Sequence, residues 1–83
     1  MTRAEVYQAI NSERTYQDKK WGGSDHDRIW NVGDWLIFMD VYLQRAKQEY
    51  TAFAGNPSDQ VRKLAALAVA CMEYNGVICR KEN

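Results

Sequence analysis

Proline is nearly absent from this 83-residue chain, which holds one, at Pro57, together with only five glycines. Long segments therefore run without an obligatory breaker, and collagen-like or low-complexity architectures are excluded. Two cysteines, Cys71 and Cys79, are too few for the disulfide framework of a small secreted domain. The one histidine, His26, has no cysteine or second histidine near it in sequence, whereas a closed zinc site needs about four ligands. No long hydrophobic run occurs: the longest, Leu64 to Met72, falls far short of the roughly 20 residues that span a bilayer, so no membrane partner is expected. An excess of one charge is missing too. The 11 basic and 11 acidic residues balance, and no stripe of Lys and Arg gathers to meet a phosphate backbone, which argues against duplex DNA. The first residues alternate charged with apolar side chains and lack the apolar stretch of a signal peptide, so a cytoplasmic location is expected.

What is present is a helical chain. Its length allows one domain, residues 1–83, and one core, and chains of this size commonly complete that core by oligomerising. Thr2 with Glu5 three residues on forms a capping-box pattern and starts a helix over about residues 2–20. Val6, Ile10, Glu13, Gln17 and Trp21 share one face of it, apolar at the ends and polar in the middle. The run from Gly22 to Trp30 has no period and many turn formers, so it reads as a loop, and its length marks it as functional. Asn31 with Asp34 signals a second helix, over about 31–51, carrying a broad apolar stripe of Trp35, Phe38, Met39, Tyr42, Leu43, Ala46 and Tyr50. Asn56 and Pro57 start a third, over about 57–80, apolar all round between Leu64 and Met72. A helix of that kind is covered on every side, and Ala65, Ala66, Ala68 and Ala70 would let another helix approach closely. The expectation is an all-α, three-helix subunit that forms a helical bundle with a copy of itself. Within one helix, Cys71 and Cys79 would stand about 12 Å apart, too far to pair.

The residues able to carry chemistry cluster early. Trp21, Trp30 and Trp35 crowd around the loop, either as core filling or as a stacking platform for a base. Asp25, His26 and Asp27 together anchor the loop or touch a ligand, since carboxylates beside a histidine fix its ring. Glu13 and Gln17 lie on the inward stripe, so they need buried partners, and Arg45 is a candidate. Glu73, after the apolar stretch, reads as a paired, partly buried acid.

The order Glu13-Arg14, Gln17-Asp18, Lys20-Trp21-Gly22, His26-Asp27, Asp34-Trp35, Arg45-Ala46 and Leu64 through Ala70 resembles small phage and prophage proteins related to the MazG-like, all-α nucleoside triphosphate pyrophosphohydrolases. That resemblance implies a helical, oligomeric, nucleotide-handling fold, and in active members Mg²⁺ held by acidic pairs on facing helices. Where those relatives carry a Glu pair and a further Glu, this chain reads Asp40-Val41-Tyr42-Leu43-Gln44-Arg45, so Mg²⁺ is possible but not expected. The leading expectation is a non-catalytic phage protein that sequesters or senses a nucleotide through Glu13, Gln17, Lys20, Trp21, His26, Asp27, Trp30, Asp34, Trp35 and Arg45. The alternatives are an oligomeric helical module that binds a host protein, and a Mg²⁺-dependent pyrophosphohydrolase.

Overall fold

Three caps decide where the long helices begin. Glu5 N donates to Thr2 Oγ1 at 3.2 Å and Thr2 N to Glu5 Oε1 at 3.0 Å, which opens α1, Arg3–Trp21. The same reciprocal pair between Asn31 and Asp34, at 2.9 and 3.0 Å, opens the helix Val32–Thr51. Asn56 Oδ1 accepts from Ser58 N at 3.0 Å, with Pro57 in the first turn, and opens the helix Pro57–Asn75. Each cap satisfies backbone N–H groups that the helix itself leaves without acceptors.

The computed structural model describes residues 1–81, and no strand occurs among the described residues. A fourth, one-turn helix lies in the segment read from sequence as a loop. Counting in chain order, it is α2, Ser24–Asp27, and the helices after it are α3, Val32–Thr51, and α4, Pro57–Asn75. Four residues are too few to show a hydrophobic period, and the glycines before α2 mark a turn. Gly22 and Gly23, at φ +94° and +62°, let the chain reverse from α1 into it.

The last helix also differs from expectation. It ends at Asn75 and not near residue 80, because Gly76 at φ +84° donates its N–H to Met72 O at 2.9 Å and closes the helix there. Val77 and Ile78 continue the apolar pattern beyond the helix. Cys71 is buried within α4, whereas Cys79 is exposed outside it, and both thiols are free.

α4 is the element on which the others pack. α3 runs antiparallel to it, since Gln60 near the start of α4 donates to Glu49 late in α3 at 3.0 Å, and Asn75 at the far end donates to Trp30 O at 3.2 Å. α1 crosses α4: Glu13 and Gln17 reach Arg62 and Lys63, while Arg14 reaches Glu73. The core between them is Trp35, Leu67, Ala70 and Cys71, with Trp21, Trp30, Phe38, Met39, Tyr42 and Tyr74 packed around it. Extents of 37 × 35 × 22 Å describe a slab about two helices thick. The chain by itself therefore does not cover α4 on every side. Val61 and Met72 on its outer face stay exposed, and Ala65, Ala68 and Val69 between them are only half-buried.

The turn between α3 and α4 depends on Gly55, at φ +72°, where an added Cβ would lie 2.8 Å from the Glu49 carboxyl carbon. Gly76 shares a positive φ but has nothing within 4 Å of such an atom. Gly55→Ala is expected to cost about 1 kcal/mol more in the parent chain than in Glu49→Ala, where the clashing carboxyl is gone, beyond the roughly 1 kcal/mol that the positive φ imposes in either. Urea midpoints in the two backgrounds measure the difference, and equal losses would show that Glu49 simply moves aside.

Candidate functional site

The polar middle of α1 is buried, as its place on the inward stripe required, but its partners come from α4 and α2. Arg62 Nε donates to Glu13 Oε1 at 2.9 Å, and Gln17 Nε2 donates to Lys63 O at 3.2 Å, leaving Gln17 Oε1 without a partner among the described residues. Arg45 is not the partner of either, since it lies over the Tyr42 ring with Cζ 4.9 Å from the centroid.

Arg14 is the hub. Its Nη1 lies 2.7 Å from Asp18 Oδ1, its Nη2 3.4 Å from Asp27 Oδ2, and its Nε donates to Glu73 Oε1 at 3.0 Å. Burial works against the charge of this guanidinium, but the close Asp18 carboxylate and the fields of Glu73 and Asp27 outweigh it and hold its pKa above the ordinary arginine value. Glu73 is paired as expected, although its side chain remains 45% exposed. Asp27, its side chain 4% exposed, turns its other oxygen to His26 Nδ1 at 2.7 Å. The ring is thereby oriented with Nε2 free, and the tautomer that fits donates from Nδ1 to the carboxylate. From His26 a chain of edge-to-face aromatic contacts runs inward through Trp30 and Phe38 to Trp35, with centroids 5.9, 5.3 and 5.7 Å apart.

Two cavities open side by side between these elements. The first, about 350 Å³, is aromatic and apolar: Trp21, Trp30, Trp35, Phe38 and Tyr42 form most of its wall, with His26, Asp27 and Arg45 at its polar edge. The second, about 380 Å³, is polar and basic, lined by Lys20, Arg45, Arg62 and Lys63 together with Glu13 and Asp59. Trp21, Tyr42 and Arg45 line both, so they form the wall between the two.

The structure therefore brings together Glu13, Gln17, Lys20, Trp21, His26, Asp27, Trp30, Trp35 and Arg45 around these two adjoining cavities. Asp34 does not join them. Its carboxylate accepts from Asn31 N to cap α3, and it lines neither cavity. Phe38, Tyr42, Arg62 and Lys63 line the cleft without having been singled out. The i, i+3 spacing of Tyr42 and Arg45 was the one local signal for Tyr42. Arg62 and Lys63 lie 49 and 46 positions from the α1 residues they meet, too distant for any local pattern to connect.

The Mg²⁺ that the resemblance implies does not fit these donors. Among the described residues no three His, Cys, Asp or Glu side chains gather as a metal site. Glu13 is paired with Arg62, Asp59 with Arg62 and Lys63, and Glu73 with Arg14, while Asp40 is exposed on α3. The Arg62 and Lys63 hydrogen bonds hold Asp59 below its usual carboxylate pKa, as expected of an acid already committed to cations. No protein-family model, curated protein or solved structure matches the chain. Among the described residues no helix is long and apolar enough to cross a membrane.

Arg14→Met would leave the Asp27 carboxylate buried without its cation. A loss of about 3 kcal/mol in urea-unfolding stability is expected, part of it recovered when Asp27→Leu is added. A single-variant loss under about 1 kcal/mol would show that Arg14 does not hold α2 in place.

Proposed function

We propose that the chain binds a nucleotide in the cleft between α1 and α3, sequestering or sensing it without turning it over. One observation carries this reading: an aromatic cavity and a basic cavity meet at a shared wall of Trp21, Tyr42 and Arg45. A nucleotide has the same two-part chemistry, a flat apolar base joined to an anion. Trp21 and Trp30, both half-buried, offer faces or edges to a base, and His26, held by Asp27, offers a free ring nitrogen to its polar rim. Lys20, 5.5 Å from the Trp21 ring, and Arg45 stand where the base ends and the anion begins. The resemblance to MazG-like phage proteins supports the ligand class, and the lost carboxylates support binding without catalysis. Titration with nucleosides and nucleotides is expected to quench tryptophan fluorescence in the absence of Mg²⁺, and Trp21→Ala to weaken binding by about tenfold. Hydrolysis with Mg²⁺ would overturn the non-catalytic part, and the absence of any response would overturn the whole.

The subunit is further proposed to pair with a second copy through the side of α3 away from the cleft. Val32, Leu36, Met39, Leu43, Ala46 and Tyr50 recur at alternating spacings of four and three, the seam pattern of paired helices, with Val32, Leu36, Leu43 and Tyr50 exposed and Met39 and Ala46 half-buried where the stripe borders the core. Leu36 is 58% and Tyr50 73% exposed. The outer face of α4 likewise leaves Val61 and Met72 exposed, apolar surface that a partner copy would cover. Light scattering is expected to give twice the 9.6 kDa chain mass, falling to one chain in the Leu36→Glu/Leu43→Glu double variant. A monomeric parent chain would sink this, and the seam would then be left as the surface for a different protein, such as one from a phage host.

A further inference from the structure

We infer that the cleft selects a nucleotide carrying a single phosphate, a choice that rests on the nucleotide reading above and narrows it. The basic cavity has four cations, Lys20, Arg45, Arg62 and Lys63, and two carboxylates, Glu13 and Asp59, a surplus of two positive charges. The pairing decides which cations remain available. Arg62 Nε donates to Glu13 at 2.9 Å and its Nη2 contacts Asp59, while Lys63 Nζ lies 3.3 Å from the other Asp59 oxygen. Those two cations are already neutralised within α4 and by α1. Among the described residues Lys20 and Arg45 have no carboxylate partner: Lys20 lies against the Trp21 ring in the basic cavity, and Arg45 lies against the Tyr42 ring where the two cavities meet.

A terminal phosphate carries about −1.5 to −2 charges at neutral pH, which is the charge that two free cations match. It would sit at the junction, one bond-length series from a base held among the tryptophans. A second or third phosphate would extend toward the Glu13 and Asp59 carboxylates, where added negative charge meets like charge, with no acidic cluster to hold a bridging Mg²⁺. Asp59 therefore acts as the gate on phosphate number. It occupies Lys63 and one arm of Arg62, the two cations that a longer phosphate chain would need.

Calorimetry in 0.15 M salt without Mg²⁺, using adenosine and its mono-, di- and triphosphate and the guanosine series, tests this directly. In the series whose base fits, the monophosphate is expected to bind at least tenfold tighter than the nucleoside, with the di- and triphosphate no tighter than the monophosphate. Arg45→Gln should shrink the gain from the first phosphate to below threefold. Asp59→Asn, which frees Lys63, should reverse the ranking so that the diphosphate becomes the tightest ligand, with a thermal melt confirming the folded state. A triphosphate tenfold tighter than the monophosphate, no gain from the first phosphate, or an unchanged ranking in Asp59→Asn would each overturn the inference while leaving nucleotide binding standing. Failure of every nucleoside and nucleotide to bind would instead overturn the nucleotide reading itself.

Discussion

The Arg14 guanidinium joins three of the four helices. It rises from α1, pairs with Asp27 on α2 and with Glu73 on α4, and its own side chain is 5% exposed. A buried cation contributes little net stability, because desolvation offsets most of the attraction, but removing any one partner leaves an unbalanced charge. The network therefore acts mainly to specify geometry. It sets the position of α2, a single turn with too few residues to hold itself, and through Asp27 it sets the orientation of His26. The aromatic contacts from His26 to Trp35 then join that turn to the core, so the wall of the apolar cavity is placed by a charge cluster at its back.

Much of the fold could be read from local chemistry. Thr2 with Glu5, Asn31 with Asp34 and Asn56 with Pro57 each announce a helix start within four residues, and all three starts lie where those patterns stand. The misread end of α4 has a local cause as well. Gly76 is a stop signal, but apolar Val77 and Ile78 after it resemble continuation, and periodicity cannot separate a helix that persists from an exposed apolar tail. The buried stripe of Glu13 and Gln17 was legible as a demand for partners. The identity of those partners was not, since Arg62 and the Lys63 carbonyl become neighbours only when α1 crosses α4.

The cleft shows the same division between local and distant information. Residues with unusual chemistry drew notice individually, and nine of the ten line the two cavities. Asp34 was misplaced because an acid three residues after an asparagine has two uses, and capping takes precedence when the carboxylate is already hydrogen-bonded to backbone. Phe38 and Tyr42 read from sequence only as part of the apolar stripe, because an aromatic on an amphipathic helix looks like core. Only the gap left where α1 and α3 both lean on α4 shows that these rings face a cavity.

The early stop of α4 divides the two thiols between different environments. Cys71 is enclosed by the core, while Cys79 lies in the exposed segment after Gly76. A thiol reagent added to the folded protein would therefore count one sulfur, and added to the unfolded chain would count two. The chain thus carries its own reporter of core opening, with Cys79, four residues beyond the last helical position Asn75, as its internal standard.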